Sequence, residues 1–198
     1  MGILNLTFSV SCKKNQGKHQ IFLNGELWRT VSPRLFGRNP QFDVQNLEEF
    51  EEHEYRSALI FAVRSLSAKA QHSCELRKKI LDLGASQKTT DRVIEELLRL
   101  GYLNDQEWFD CFIRSQILKK VGKSGIRQKF MMKGIPRQEC EEALEFYMTD
   151  DVQEKQIQLL METRYQQKDL DDPKQRQQVI SGLARRGFSW DLIVKVLK

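Results

Sequence analysis

A run of positive charge between residues 114 and 137 is the feature of this sequence most able to do chemistry. Eight basic side chains lie in the run, and no Asp or Glu interrupts them. Exposed helices usually mix charges of both signs, so an unmixed run favours a phosphate backbone or an acidic protein face as the partner. The alternative that the run leaves open is an ordinary solvated helix face.

Basic residues recur on both sides of this run, near residue 77 and between residues 176 and 186. They fall on the helix that occupies the same place in an internal repeat, so we predict a basic track along the chain. The side chains predicted to bind a partner or DNA are Arg77, Arg114, Lys119, Lys120, Lys123, Arg127, Lys129, Lys133, Arg176, Arg185 and Arg186. We expect charge reversal at Arg127 and Lys133 to weaken this binding.

No catalytic constellation is evident in the sequence. Gly122-Lys123-Ser124 resembles the end of a phosphate-binding loop, but that loop needs a glycine where Ile117 stands and a strand before it. We therefore predict a turn between two helices. There is no G-x-S-x-G or H-E-x-x-H pattern and no cysteine with a suitable histidine partner. We expect neither an enzyme nor a bound cofactor.

Cysteine usage and hydropathy indicate the compartment. The cysteines at positions 12, 74, 111 and 140 form no C-x-x-C pair, and nothing has the spacing of zinc ligands. We expect free thiols in a reducing compartment and no metal. The longest apolar run, residues 58–63, is far shorter than the roughly 18 residues that span a membrane, and no signal peptide is evident. The sequence predicts a soluble cytoplasmic protein.

The first 31 residues favour β-structure. Residues 3–10 partly alternate in polarity, and Asn24-Gly25 separates two apolar runs, 20–23 and 26–31. Asn-Gly in this setting is a strong hairpin signal, because both turn positions need a positive φ. We predict a small hairpin or three-stranded piece, which must pack on another element to be stable. An acidic stretch, residues 43–54, leads from it into helical sequence.

An internal repeat organises the remaining chain. Aligning Gly84, Gly134 and Gly187 brings apolar residues into register eight and four positions before each glycine. In the middle repeat these residues are Ile126 and Phe130, one turn apart on one helix face. Each glycine is expected to end a helix, since glycine takes the left-handed position at little cost. Short helices of this kind need neighbours to be stable.

The repeat predicts a mainly α fold of tandem three-helix modules in an elongated, curved array, with a small N-terminal β-hairpin extension. The predicted boundaries are 1–53 for the extension and acidic linker, 54–103 for module 1, 104–149 for module 2 and 150–198 for module 3. Ser73 and Asp105 are predicted N-caps of helices. Trp108, Phe109 and Phe112 have helical spacing that favours a core over base stacking, and Trp190 is also predicted to pack.

Several segments together resemble the RecX family of bacterial regulators of the RecA recombinase. The segments that carry the resemblance are Gly101-Tyr102-Leu103-Asn104-Asp105, residues 126–135, Leu183-Ala184-Arg185-Arg186-Gly187-Phe188, and residues 66–77. Their order and spacing cover about residues 55–198. One departure is that Ser124 and Gly125 follow Lys123, where the family is often more basic.

The resemblance implies a tandem array of three-helix units that binds the RecA–DNA filament along its helical groove. It implies inhibition of the RecA ATPase, strand exchange and coprotease activities, with no enzymatic activity of its own, and thus a role in recombination, DNA repair and the SOS response. We expect a monomer that does not bind membranes. A direct binder of single- or double-stranded DNA that competes with RecA is the alternative function.

Overall fold

The computed structural model describes residues 9–198 and begins with a small antiparallel sheet. Strands β1 (Val10–Asn15), β2 (Lys18–Leu23) and β3 (Glu26–Val31) pair in the order β1-β2-β3. Asn24 and Gly25, in the turn between β2 and β3, have φ values of 51° and 88°, which confirms the predicted hairpin. Residues 3–8 of the predicted first strand lie outside the described residues.

Helices make up most of the remaining chain and confirm the mainly α prediction. The described helices are α1 (Pro33–Phe36), α2 (Leu47–Ala68), α3 (Ser73–Asp82), α4 (Gln87–Arg99), α5 (Asp105–Leu118), α6 (Lys123–Met132), α7 (Arg137–Tyr147), α8 (Asp150–Thr163), α9 (Pro173–Arg185) and α10 (Trp190–Val196). No helix within residues 9–198 has an apolar stretch long enough to cross a bilayer.

The chain divides into two compact units, the first ending at Asp105 and the second running from Gln106 to Lys198. In the first unit, the sheet and α1 share one core with α2, α3 and α4. Ile21, Val31 and Phe50 are almost wholly buried in this core. Helix α2 begins at Leu47, so most of the acidic stretch predicted to be a linker forms the first turns of this helix.

A buried ion pair fastens the sheet to module 1. Arg29 of β3 lies 2.7 Å from the carboxylate of Glu54 on α2, and the Glu54 side chain is fully buried. The same carboxylate accepts hydrogen bonds from the hydroxyls of Ser86 (2.8 Å) and Thr89 (2.7 Å) on the first turn of α4. Because a buried charge is tolerated only when paired and hydrogen-bonded, these contacts fix the positions of three elements together.

The second unit contains module 2, formed by α5, α6 and α7, and module 3, formed by α8, α9 and α10. Each module has its own apolar core. The residues eight and four positions before the repeat glycines are all fully buried there: Ile126, Phe130, Val179 and Leu183. Gly134 and Gly187 have φ values of 76° and 92° just after α6 and α9, which confirms that they end these helices.

Two predicted N-caps in the first unit are wrong. The His72 ring caps α3 by accepting from the Cys74 N–H, and Ser73 is the first residue of that helix. Helix α5 already includes Asp105. The Asp105 carboxylate accepts from the N–H (2.7 Å) and the hydroxyl (2.5 Å) of Ser73. An acid therefore stabilises the N-terminal end of α3, where the helix dipole favours negative charge.

Candidate functional site

Two of the predicted binding arginines hold their own modules together. Arg127 on α6 donates to both carboxylate oxygens of Glu141 on α7, from Nε at 2.6 Å and from Nη2 at 2.8 Å. This bidentate hydrogen bonding raises the pKa of Arg127 and lowers that of Glu141. In module 1 Arg77 pairs with Asp91 at the same separation of 14 residues. Neither guanidinium is therefore free for a partner, and a glutamate at position 127 would face Glu141.

Module 3 replaces this ion pair with apolar residues. Arg77 and Arg127 lie seven positions before the repeat glycines, and Asp91 and Glu141 lie seven positions after them. The corresponding residues of module 3 are Ile180 and Val194. Ile180 is only 9% exposed and belongs to the core of its module. The two repeat positions that carry an ion pair in modules 1 and 2 thus carry apolar residues in module 3.

Replacing Glu141 by glutamine is expected to cost about 1 kcal/mol of unfolding free energy near neutral pH, a small value because both side chains are about one third exposed. The lowered pKa means that ionised Glu141 favours the folded state. This stabilisation is complete above the ordinary glutamate pKa and is lost as the pH falls through the folded-state pKa. Urea unfolding of both proteins should therefore converge in strongly acidic buffer; a constant difference at all pH values contradicts the assignment.

Lys129 on α6 and Lys133, the residue just after this helix, also contact their own module. Lys129 donates to the side-chain oxygen of Gln116 at 2.5 Å. The Lys133 ammonium lies 5.6 Å from the Trp108 ring centre and 5.8 Å from that of Phe112, within the range of cation–π attraction. Both lysines are only partly exposed. Helix α6 therefore presents less free positive charge than its sequence suggests.

The junction between modules 2 and 3 brings distant basic residues together. Arg186, just after α9, donates from Nη1 to the backbone carbonyls of Lys119 (3.2 Å) and Lys120 (3.3 Å), just after α5. The Arg186 carbonyl accepts from the Gly122 N–H at 2.8 Å. We call the five basic residues at this place the junction cluster: Lys119, Lys120, Lys123, Arg185 and Arg186.

Gly122-Lys123-Ser124, the segment that resembles the end of a phosphate-binding loop, forms the backbone contact at this junction. The Gly122 and Ser124 N–H groups donate to the carbonyls of Arg186 and Gly187, and the Lys123 N–H donates to the Gln153 side chain at 3.1 Å. The amides that would hold a phosphate are therefore already used. The prediction of a turn between helices is confirmed, since Gly122 ends the turn that follows α5, and Lys123 and Ser124 begin α6.

The junction cluster keeps its positive charge. Within residues 9–198, none of its members forms an ion pair of 4 Å or less with a carboxylate. Its contacts to carbonyls orient Arg186 without neutralising it, and cations beside the C-terminal ends of α5 and α9 complement the helix dipoles. Lys119 and Arg185 are exposed, and the other three side chains are partly exposed.

The remaining predicted binding residues lie outside this cluster. Arg114 is exposed on α5 and Arg176 is partly exposed on α9. Sequence reasoning missed Arg164 and Lys168, which lie between α8 and α9 in the segment that makes the last repeat three residues longer than the one before it. That length difference is the signal that could have drawn attention to them.

The aromatic predictions have mixed outcomes. Trp108 and Phe109 are 7% and 6% exposed, and both belong to the core of module 2, as predicted. Phe112 packs against this core and stacks on Trp108, with ring centres 4.7 Å apart. The prediction that Trp190 packs is wrong, because its side chain is 61% exposed. Trp190 is the first residue of α10, directly after its N-cap Ser189, and the buried residues of this helix are Leu192 and Ile193.

Clusters that could bind a metal, and the cysteine–histidine contact between β1 and β2, are the remaining candidate sites in the described part of the chain. No group of three His, Cys, Asp or Glu side chains among residues 9–198 could hold a metal ion. The Cys12 sulfur lies 3.1 Å from Nδ1 of His19 on the neighbouring strand. Burial raises the pKa of Cys12 and lowers that of His19. Both groups therefore stay neutral at physiological pH, which does not favour a reactive thiolate.

The geometry defines a tandem three-helix repeat protein with a basic cluster at a junction between modules. Residues 151–197 match the family described as RecX, third three-helix domain. "Regulatory protein RecX" of Lactobacillus johnsonii is 25% identical over 194 residues, which are 92% of this chain and 70% of that protein. The Clostridium acetobutylicum protein of the same name is 27% identical and covers 94% of this chain and 91% of its own. The chain spans 52% of the length of the Lactobacillus gasseri relative.

Solved structures support the fold. The crystal structure of RecX from Lactobacillus salivarius matches with a TM-score of 0.63 and 23% identity, over 72% of this chain and 94% of that one. The chain is thus similar to RecX proteins over most of its length, and its third module matches the RecX family model; these relatives are named regulatory proteins. The resemblance inferred from the sequence segments is thereby confirmed.

Proposed function

We propose that this protein regulates the RecA recombinase, without enzymatic activity of its own, by binding the RecA–DNA filament in the cytoplasm. Its binding lowers the ATPase, strand-exchange and coprotease activities of the filament. The proposal extends the regulatory name of the relatives to this chain, and it rests on one structural observation, the unneutralised junction cluster between modules 2 and 3.

The cluster suits an extended acidic partner. Its residues come from segments more than 60 positions apart in sequence, and backbone hydrogen bonds hold those segments together. Fixed cations without carboxylate partners are favourable opposite an acidic protein face or a DNA backbone. Arg114 and Arg176 extend the set of candidate contacts, whereas Arg77 and Arg127 contribute through the stability of their modules.

Charge reversal at Lys119 and Lys123 tests the proposal. Lys119 is exposed, and Lys123 is the first residue of α6, where a glutamate is compatible with the helix dipole. We expect half-inhibition of the RecA ATPase to require about tenfold more of the double variant Lys119→Glu/Lys123→Glu, because two attractive charges become repulsive to an acidic partner. A tenfold change corresponds to about 1.4 kcal/mol of binding free energy.

The matched control is the double variant Lys18→Glu/Arg64→Glu in the first unit. Both side chains are exposed, and the net charge changes by the same amount. If the control weakens inhibition as much as the cluster variant does, net charge alone explains the effect. Far-UV circular dichroism and urea unfolding of each variant show whether the fold survives.

Competition for DNA is the alternative mechanism, and the same cluster supports it. A competitor binds bare DNA tightly without RecA, and its affinity falls steeply with salt. A filament regulator instead inhibits at concentrations where little bare DNA is bound.

A further inference from the structure

A pocket between the end of α8, the α8–α9 loop and α9 adjoins the junction cluster and shares Arg185 and Arg186 with it. It is open to solvent and has a volume of about 450 Å³. No acidic residue lines the pocket. Its four cationic side chains are Arg164, Lys168, Arg185 and Arg186. Two of them come from the loop that makes this repeat longer than the others.

Neutral acceptors orient these cations and leave their charge intact. Lys168 donates to the Gln178 side chain at 3.0 Å, and Arg185 donates from Nε to the Ser181 carbonyl at 3.2 Å. Arg186 is held by the two carbonyls at the end of α5. Within residues 9–198, no carboxylate forms an ion pair with any of the four cations. The pocket is thus preorganised for an anion.

Tyr165 adds a hydroxyl to the wall of the pocket. Its side chain is 9% exposed, and no residue of the described chain makes a hydrogen bond with the hydroxyl. The hydroxyl packs against Gly182 so closely that any Cβ at position 182 would clash with it. The hydroxyl is not one of the buried polar atoms that lack a partner, and it reaches the open pocket, where it is available to a ligand.

Only module 3 has glycine at this position of the repeat. Lys79 and Lys129 lie five residues before the repeat glycines, as Gly182 does. Each of these lysines binds a glutamine side chain of its own module, Gln71 or Gln116. The glycine removes that lysine and admits the Tyr165 hydroxyl. The pocket is thus a specific departure from the repeat, in which a structural lysine gives way to an open space surrounded by cations.

We propose that this pocket binds a phosphate group. Guanidinium groups donate in pairs to phosphate oxygens, an ammonium adds a point charge, and a tyrosine hydroxyl donates a single hydrogen bond. The absence of a carboxylate from the wall removes the repulsion that an anion would otherwise meet. The phosphate belongs either to a nucleic-acid backbone or to a free nucleotide, since both present the same kind of oxygen atoms to the pocket.

The test uses the full chain without RecA, so its outcome is separate from that of the regulatory proposal. A fluorescein-labelled oligothymidylate of about 12 nucleotides is titrated at fixed ionic strength, and binding is followed by fluorescence anisotropy. Unlabelled oligothymidylate, ATP and inorganic phosphate then compete. If ATP displaces the labelled oligonucleotide at a much lower concentration than inorganic phosphate does, the pocket is a nucleotide site. If only the unlabelled oligonucleotide displaces it, the pocket is a site for the nucleic-acid backbone.

Three variants and a control separate a built pocket from general charge. Lys168→Glu is expected to weaken oligonucleotide or ATP binding about tenfold and to lower the salt slope for the oligonucleotide by about 1. Tyr165→Phe, which keeps charge and size, is expected to weaken binding about threefold, as is Gly182→Ala, which displaces the hydroxyl. Lys155→Glu on the exposed side of α8 makes the same charge change as Lys168→Glu outside the pocket, and it should change affinity less than twofold.

Three results overturn the proposal. One is an equal loss of affinity for Lys155→Glu and Lys168→Glu, which would mean that only net charge matters. Another is unchanged affinity for both Tyr165→Phe and Gly182→Ala in variants that unfold like the parent protein. Absence of binding by all three probes at low salt overturns it as well. None of these results bears on inhibition of RecA through Lys119 and Lys123, which lie outside the pocket lining.

Discussion

Replacing Gly187 by alanine is expected to lower the free energy of unfolding of the second unit by about 3 kcal/mol or more. Gly187 has a φ of 92°, and a left-handed backbone costs a non-glycine residue about 1–2 kcal/mol. A Cβ there would also clash with the backbone nitrogen of Gly125. The clash separates the two backbone segments and breaks the hydrogen bonds that the Gly122 and Ser124 N–H groups donate across the junction. Each of these bonds contributes about 0.5–1.5 kcal/mol to the stability of the fold.

Gly134→Ala is the matched control for this prediction. Gly134 occupies the same position in module 2 with a φ of 76°, but a Cβ built on it meets nothing within 4 Å. It should therefore cost only the backbone strain, about 1–2 kcal/mol. The difference between the two variants in urea unfolding isolates the contribution of the junction. Equal losses at both positions would show that the close approach of Gly187 and Gly125 adds nothing to stability.

Replacing Phe130 by alanine is expected to cost about 3–5 kcal/mol, the range for a fully buried phenylalanine. Phe130 is 0% exposed, and its ring lies 5.2 Å from that of Phe109 and 5.3 Å from that of Phe112, measured between ring centres. The variant leaves a cavity at the centre of the module 2 core that these rings cannot readily fill. Equilibrium urea unfolding measures the loss.

Met131→Ala is the control for the core variant, because Met131 is the next residue on α6 and is 66% exposed. Its replacement should change the free energy of unfolding by less than about 0.5 kcal/mol. A loss below about 1 kcal/mol for Phe130→Ala would contradict the assigned helix face. Similar losses for both variants would mean that the variants affect α6 itself rather than the packing of one face.

The repeat and its cores could be predicted because their signals are local. Gly134 ends its helix through its own backbone freedom, and Ile126 and Phe130 share a face through the period of the helix. The Asn24-Gly25 turn is encoded in two residues. Such signals depend on neighbours a few positions away, so a single sequence suffices to find them.

The roles of individual basic residues could not be predicted, because they depend on contacts distant in sequence. In the sequence Arg127 has no acidic neighbour and is predicted to be a free cation, but in the structure it pairs with Glu141, 14 residues later. The matching acid of module 1, Asp91, lies at the same repeat position, so a search for paired charges across repeats could have found both pairs. Arg186 is bound by carbonyls 66 and 67 residues away, and carbonyls carry no sequence signature.

The capping and aromatic errors have a similar cause. Asp105 has the residue type and position of an N-cap, yet its carboxylate binds the start of α3, 32 residues earlier in the chain. Trp190 is large and apolar, but it sits at the first position of a short helix whose buried residues are Leu192 and Ile193. Residue type indicates what a side chain can do, and the tertiary structure selects among those possibilities.

The most direct test of the central proposal is the DNA-dependent ATPase activity of RecA with increasing amounts of this protein, with binding to bare DNA measured at the same salt. We predict inhibition at concentrations well below those at which bare DNA is bound, and loss of that inhibition in Lys119→Glu/Lys123→Glu. Inhibition that follows bare DNA binding in parallel, or an ATPase unaffected at all concentrations with the cognate RecA, would contradict regulation through the filament.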